Sequence, residues 1–520
     1  MRFEPKLQTA QITLCNSSHS MLRKVRTTLA IIFFLGATLL FLDFTGTIHK
    51  WLEWIAKIQF LPALLSVNIG VLAVLIVLTL VLGRVYCSVI CPLGVMQDIF
   101  AKFGKMAKKN RYTFSPAMNI MRVVFLGVMV VAIIFGIGTV IALLAPYSAY
   151  GRIVQSLGAP IWLWGNNILA GIAERAESYA FYETEVWIRS FTVLGVAVVT
   201  LIVLAILAWR NGRTYCNTIC PVGTVLGFLS KYSLYRPVID TDKCNGCGLC
   251  ARNCKASCID SKSHNIDYSR CVDCLDCIYK CNKGAIKYKR FTKQIVAVGS
   301  PTVEVTPTGK EDISRRNFLT VSAFIAGGAA IKATAQKVDG GLAVIEEKKI
   351  PERKSHIVPP GAQSHRNLER HCTGCQLCVS VCPNHVLRPS DNISRAFQPV
   401  ASYERGYCRP ECTKCSEVCP TGAIRKIDTA EKSSIQIGRA QWLKANCIPL
   451  TDEVACGNCA RHCPVGAIQM IPSVAGNEES LKIPAVNSEK CIGCGTCENL
   501  CPSRPFSAIY VEGNERHRIV

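Results

Sequence analysis

Acidic residues are in short supply in this sequence: 36 Asp and Glu stand against 59 Lys and Arg, leaving a formal charge of +23. A basic chain invites nucleic acid as a partner, but no basic stripe with interleaved aromatics is present, which excludes that class. Histidine is scarce as well, with 9 in 520 residues. None of the nine falls within a long apolar run, so the usual axial ligands of a membrane b-type haem are missing. There is also no nucleotide-binding motif, no molybdenum-cofactor segment and no Ser/His/Asp constellation. A chain without these is expected to move electrons rather than to transform a final substrate. What it has in quantity is cysteine, 30 residues of it, and apolar side chains, half of the total.

The apolar residues crowd before residue 210. Four runs, at residues 28–44, 66–82, 121–145 and 188–209, are each about long enough to cross a bilayer as a helix. The charge divides with them: residues 1–335 carry +19 and residues 336–520 only +4. Between the second and third runs Arg84, Lys102, Lys105, Lys108, Lys109, Arg111 and Arg122 face Asp98 alone. Between the third and fourth, Glu174, Glu177, Glu183 and Glu185 outnumber Arg152 and Arg175. Positive loops stay in the cytoplasm, so the expected topology is four spans with both ends inside. Residues 153–173 are apolar but interrupted by Pro160 and Gly165; they are expected to lie along the outer interface, with a fifth span as the alternative.

An internal repeat closes the second and fourth runs. Gly83-Arg84-x-Tyr86-Cys87-x3-Cys91-Pro92-x-Gly94 recurs as Gly212-Arg213-x-Tyr215-Cys216-x3-Cys220-Pro221-x-Gly223. The copies imply a duplicated helical hairpin, with the motifs expected at the cytoplasmic edge. Residues i and i+4 share a helix face, so Cys87, Cys91, Cys216 and Cys220 can converge on one site. They read either as redox or metal-binding thiols or as small buried packing residues. Cys15 stands alone and reads as inert.

The other cysteines recur in a spacing suited to iron. A 4Fe–4S cluster takes four soft thiolates, three from a C-x2-C-x2-C loop and a fourth that serves the neighbouring cluster when motifs pair. Cys244, Cys247, Cys250 and Cys254 form one such set and Cys271, Cys274, Cys277 and Cys281 a second. Neither fourth cysteine precedes proline, and Cys258 is an extra thiol able to replace Cys254. Four more sets follow: Cys372, Cys375, Cys378 and Cys382; Cys408, Cys412, Cys415 and Cys419, with three residues in its first gap; Cys447, Cys456, Cys459 and Cys463, with eight; and Cys491, Cys494, Cys497 and Cys501. Each of these four ends in Cys-Pro. Zinc sites and disulfide frameworks do not produce triplets with a trailing cysteine. Six 4Fe–4S clusters are therefore expected, with these 24 cysteines as iron ligands.

Ser314-Arg315-Arg316-Asn317-Phe318-Leu319, followed by an apolar run of small residues and Ala333-Thr334-Ala335, has the form of a twin-arginine export signal. The plan read from the sequence is a cytoplasmic N-terminus (1–27), a four-helix membrane domain (28–230) and a cytoplasmic two-cluster ferredoxin (231–290). A linker (291–313), a signal or anchor helix (314–335) and an exported four-cluster ferredoxin (336–520) follow. The fold class is thus an α-helical membrane bundle joined to α+β bacterial-type ferredoxin domains.

At these motifs the chain resembles two electron-transfer proteins joined head to tail. Residues 20–290 resemble the NapH-type membrane subunit of periplasmic nitrate reductase systems. Residues 311–520 resemble the NapG/MauM-type exported ferredoxin, with Pro359-Pro360-Gly361-Ala362 ahead of the first cluster motif. The resemblance implies a quinol dehydrogenase in the bacterial cytoplasmic membrane. Quinol from the membrane quinone pool is the electron donor, and an exported reductase or intermediate cytochrome takes the electrons. The twin-arginine export machinery is a further expected partner, and the duplicated cysteines are expected to be needed for electron entry. A redox maturation or assembly factor for a metalloenzyme is the alternative function.

Overall fold

The computed structural model describes residues 5–107, 112–178, 181–290 and 346–520, with side chains from residue 21 onward. The expected linker and twin-arginine segment, and the side chain of Cys15, lie outside the described residues. The chain divides into a large unit of residues 1–291, 350–503 and 507–520 and a small one of residues 292–349 and 504–506. The helical bundle and all six cysteine sets belong to the large unit.

The bundle is built from α1 (Pro5–Leu42), α2 (His49–Lys57), α3 (Phe60–Leu65), α4 (Ile69–Leu82), α5 (Val85–Val89), α6 (Pro92–Met106) and α7 (Asn119–Phe135). It continues through α8 (Gly138–Leu144), α9 (Pro146–Ile153), α10 (Ala159–Arg175), α11 (Phe191–Asn211), α12 (Thr214–Thr218) and α13 (Pro221–Ser230). Two helices among the described residues are long and apolar enough to cross a membrane, Met21–Leu42 within α1 and Phe191–Asn211 as α11. At a rise of about 1.5 Å per residue each is roughly 30 Å long.

The second and third expected spans are shorter than the sequence suggested. The second is a 14-residue helix whose start is set by Asn68, its side chain accepting from the Val71 N–H at 3.2 Å. Ahead of it, α2 packs back against α1, with Ile55 beside Gly36. The third stops after 17 residues at Gly136, which takes a left-handed conformation that a continuing helix cannot use. The expected interface segment forms α10 after a π-helical turn at Val154–Gly158.

The bundle is inverted in polarity. Val74, Val77, Val123, Val131, Val199, Val203 and Ile206 face outward, while Arg84, Arg122, Arg152, Arg213, Gln59 and Gln97 are buried. Apolar outer faces around a polar interior suit helices surrounded by hydrocarbon, where charged groups turn to the bundle interior.

The two cysteine-rich regions dock at opposite ends of these helices. The first carries β1 (Tyr235–Ile239), β2 (Ile259–Asp260), β3 (Asn265–Ile266) and β4 (Ile286–Arg290), paired β1 with β4 and β2 with β3, all antiparallel. It meets the bundle where α4 ends: Leu234 N donates to Leu80 O at 2.8 Å and the Tyr288 hydroxyl to Leu82 O at 2.9 Å. Arg23, near the start of the apolar part of α1, pairs with Asp276 at 2.8 Å.

The second region carries β5 (Leu387–Pro389), β6 (Pro399–Ala401), β7 (Ile435–Trp442), β8 (Ile468–Pro472), β9 (Lys482–Val486) and β10 (Ile509–Ile519). These form three antiparallel pairs, β5 with β6, β7 with β10 and β8 with β9. It meets the other end of the same helices. Lys414 Nζ donates to Thr45 O at 2.8 Å just past α1, and the Thr139 hydroxyl donates to Ile393 O at 2.9 Å. Asp391 accepts from Ser190 and Thr192 at the start of α11.

Candidate electron-transfer site

Each copy of the repeated motif turns back into the bundle. Gly83 and Gly212 stop α4 and α11 with φ of 74° and 70°. A Cβ at Gly83 would lie 2.2 Å from the Asp273 carboxylate, and one at Gly212 would lie 2.3 Å from Lys255 O. The short helices α5 and α12 then lead inward, and proline at the first helical position starts α6 and α13 in the opposite direction, with Cys91 and Cys220 as their N-caps. Helix α6 runs back beside α11, bringing Gly104 against Trp209 O. Its 15 residues put the Cys91 end roughly 20 Å further along the bundle.

The thiols are buried where the bundle meets the first cysteine-rich region, since the Arg84 guanidinium touches both Cys87 Sγ and Ser269 O. Cys-Pro restarts a helix there rather than ending one. The expected i, i+4 geometry is not the means of convergence, since α5 ends at Val89. The four cysteines are nonetheless brought together, because Cys220 is within electrostatic reach of Cys216, Cys91 and Cys87.

Two fully buried arginines hold this re-entry, each reaching across to the other copy. Arg213 Nη1 donates to Cys87 O at 2.7 Å, and Arg84 Nη2 to Cys216 O at 3.4 Å. Arg84 also donates to Asn217 Oδ1 at 2.9 Å and Ser269 O at 3.1 Å, and its Nη2 lies 3.8 Å from Cys87 Sγ. Arg213 pairs with Asp98 at 2.8 Å. Gln97 Nε2 donates to Cys216 Sγ at 3.2 Å, and Gly223 N to Cys220 Sγ at 3.4 Å. On the Cys91 side, the Tyr86 hydroxyl donates to Gln59 Oε1 at 3.0 Å and accepts from Phe60 N at 3.1 Å. Guanidinium groups, a side-chain amide and helix N-termini all favour negative charge on these sulfurs.

The site abuts the first cysteine-rich region. Asp273, between Cys271 and Cys274, accepts from the Arg84 backbone N–H at 2.8 Å. Burial pushes its carboxyl up to about 6 against that hydrogen bond. Asp98, the lone acid of its basic stretch, gathers Arg213, Lys255 at 3.4 Å and Arg26 at 3.6 Å. Lys255 also reaches Asp276 at 3.0 Å. Burial works against the Lys255 charge, yet Asp98 and Asp276 raise its pKa above the usual lysine range. Lys255 occupies the position where proline follows the fourth cysteine in each of the last four sets, and the ion pairs explain why a cation stands there.

The six sets pair two by two, with each fourth cysteine lying among the opposite triplet. Cys254 lies near Cys271, Cys274 and Cys277, and Cys281 near Cys250. Cys419 joins Cys372, Cys375 and Cys378, while Cys382 joins Cys408 and Cys415. Cys501 joins Cys447 and Cys459, and Cys463 joins Cys491 and Cys494. Cys412 and Cys456 sit with their own triplets, and Cys497 with Cys491 and Cys494. Cys244 lies beside Cys250, and Cys247 is the exposed member of its set.

Cys258 is buried, its sulfur 3.5 Å from that of Cys254 and hydrogen-bonded with Cys271. The Cys254–Cys258 hydrogen bond pulls the Cys254 thiol below the usual range and pushes Cys258 above it. No three His, Cys, Asp or Glu side chains among the described residues converge closely enough to hold one metal ion. Four thiolates spread over separate irons need no such convergence, so the donor sets fit cubane clusters better than single-ion sites.

At the far end of the bundle, Gly151 in α9 packs against Cys375 O and the Phe41 ring. Tyr147 lies near Cys375 and 5.3 Å from Phe41, ring centre to ring centre. Arg152 stands 4.6 Å over the Phe397 ring and is within electrostatic reach of Tyr215, which neighbours Cys220. Buried residues thus run without a break from Asp273 through the four inner thiols to Cys375.

Comparison with known proteins agrees with this division. The family described as a 4Fe-4S binding domain matches residues 64–111 and 192–239, the two copies of the repeat. A 4Fe-4S dicluster domain matches residues 371–424 and 454–504. An uncharacterized Methanocaldococcus jannaschii protein, MJ0749, is 32% identical over 97 residues, 19% of this chain and 39% of its own length. The Escherichia coli protein YccM, named for electron transport, is 24% identical over 42% of this chain and 55% of its own. The chain therefore spans about half or less of the length of these two relatives. The methylamine utilization ferredoxin-type protein MauM of Methylorubrum extorquens is 31% identical over 198 residues, 36% of this chain and 84% of MauM. No solved structure matches. With its cysteine sets paired two by two and most of MauM's length matched, the chain belongs to the MauM family of ferredoxin-type 4Fe–4S electron-transfer proteins.

Proposed function

We propose that the chain is a multi-pass quinol dehydrogenase of the bacterial cytoplasmic membrane, with residues 231–290 inside and residues 346–520 outside. Six paired thiol sets hold six 4Fe–4S clusters, and a bound cluster supplies storage for one electron at a time. Residues 231–290 and 346–520 hold such sites at the two ends of the bundle. The four inner thiols, set among Arg84, Arg213 and two helix N-termini, provide an intermediate site for negative charge between them. The acceptor is an exported reductase or cytochrome, in a nitrate-reductase-like or related system.

The observation that carries this reading is the single buried cluster that contains the four inner thiols together with Cys372, Cys375 and Cys378, with Asp273 joined to it at the Arg84 backbone N–H. A redox maturation factor would use the same inner thiols without taking electrons from quinol. Adding menaquinol or ubiquinol analogues to the oxidised full chain separates the two: a quinol dehydrogenase loses its cluster absorbance, and a maturation factor keeps it. The orientation is tested by changing Arg315 and Arg316 to Lys, which is expected to leave residues 346–520 protected from protease in spheroplasts. Protection of that region in the wild type would overturn the topology.

A further inference from the structure

Contacts place the four cysteine sets of residues 346–520 in an order that starts at the bundle. Cys375 lies against Gly151 of α9, and Cys382 completes the next set with Cys408 and Cys415. Cys408 N donates to Cys494 O at 2.9 Å, which brings the third set alongside. Cys463 and Cys501 are exchanged between the third set and the fourth, so Cys447, Cys456, Cys459 and Cys501 come last.

Two segments are lengthened at this last set. Its first gap holds eight residues where two suffice elsewhere, and residues 450–455 of that gap are all exposed. Residues 473–481, the turn between β8 and β9, number nine, where hairpin loops commonly take about two to five. The turn is braced by its own hydrogen bonds, Ser473 N donating to Leu481 O at 2.9 Å and Val474 N to Ser480 Oγ at 3.3 Å. Both segments border an open groove of about 770 Å³, with Cys456 and Met470 among the residues that line it. Val454 and Val474, one in each segment, are each 57% exposed.

The charge of these segments runs against that of the chain. In a protein of +23, the exposed acids Asp452, Glu453, Glu478 and Glu479 outnumber the exposed bases Arg461 and Lys482. None of these six is in an ion pair among the described residues. A merely solvated loop needs neither exposed valines nor a cluster ligand in the groove beside it. Unpaired acids around apolar side chains, at the last cluster of a series, make a surface that complements a cationic partner.

We propose that this groove is the exit for electrons, the docking surface for a small one-electron carrier with lysines around its prosthetic group, of the kind found in c-type cytochromes. The acids steer and orient the cationic rim, and Val454 and Val474 supply apolar contact. Cys456 makes the last cluster part of the groove itself. One electron leaves a reduced cluster for the oxidised haem iron, with no bond made or broken and no proton moved. The inference rests on the reading that residues 346–520 pass electrons to an exported acceptor, and it names the surface and the chemistry of the partner.

The test mixes the dithionite-reduced full chain in detergent with horse-heart cytochrome c, a cationic probe, and follows haem reduction by absorbance. Glu478→Lys with Glu479→Lys alters only exposed residues of the turn and is expected to slow the reaction at least tenfold at low salt. The difference should shrink as salt screens the charges. Glu411→Lys with Glu417→Lys makes the same change of charge on exposed acids of the second set and should leave the rate unchanged. Equal slowing in both double variants would reduce the effect to net charge and overturn the surface, as would an unchanged rate in the first. A wild-type rate that does not fall with salt would overturn the chemistry of the partner. Bleaching of the clusters by a quinol analogue reads the broader proposal separately: if it occurs while the charge reversals do nothing, the docking surface alone falls.

Discussion

The two copies of the re-entrant motif match in sequence and in backbone contacts but differ in charge. Arg213 crosses to Cys87 O and is neutralised by Asp98, which in turn fastens α1 and Lys255. Arg84 crosses to Cys216 O, yet its guanidinium meets Asn217, Ser269 O and the Cys87 sulfur and forms no ion pair among the described residues. A buried guanidinium without a counter-ion is costly unless an anion is nearby. Copy two thus carries the structural ion pair, and copy one leaves a positive charge facing the four thiols. A duplicated hairpin has in this way divided two tasks, fastening and charge compensation.

The largest effect that would break this comparison is at the ion pair. Arg213→Leu is expected to destabilise the chain by about 3–5 kcal/mol, because Asp98 stays buried without its main partner. Thermal unfolding in detergent would show it. Arg84→Leu breaks no ion pair and should cost less; equal losses in the two variants would contradict the division of tasks.

The matched backbones are probed next. A Cβ at Gly94 would lie 2.3 Å from Cys87 O, and one at Gly223 2.3 Å from Cys216 O. Gly94→Ala and Gly223→Ala should each cost about 1–3 kcal/mol by overpacking, and by similar amounts. Markedly unequal shifts in unfolding temperature would show that the copies are less alike than their contacts.

The smallest expected change in free energy concerns the thiols. Cys91→Ser with Cys220→Ser should slow electron exchange between the two ends of the bundle at least tenfold, about 1.4 kcal/mol if read as a barrier. Iron bound by the six paired sets, about 24 per chain by ligand arithmetic, should hold. A value near 16 in the wild type would mean that two of the six sets stay empty.

What the sequence reveals follows from the range over which each feature acts. Cluster triplets are local, so C-x2-C-x2-C is legible without a fold. The partnering of Cys419 with Cys372, or of Cys501 with Cys447, is tertiary and leaves no local trace. The apolar helices Met21–Leu42 and Phe191–Asn211 are uninterrupted and easily read. Gly136 is one small residue in an apolar run, and only its left-handed backbone shows the helix ending there. The re-entry was hidden because Pro92 and Pro221 look like helix breakers after a cysteine, whereas they start helices. Arg84, Arg213 and Asp98 were visible as charges near the repeat, but their exchange across the copies needs the packed bundle.

The central claim, that the inner thiols join the two ends of the bundle electronically, is tested by following cluster reduction after mixing the oxidised full chain with a quinol analogue. Rapid freezing and electron paramagnetic resonance give the time course, and the signal that a Cys274→Ser variant lacks marks the 244–281 region. In the wild type that signal should develop together with those of residues 372–501. In the Cys91→Ser, Cys220→Ser variant it should lag at least tenfold while the others keep their rate. An undelayed signal in the variant would show that electrons bypass these cysteines and would contradict the account.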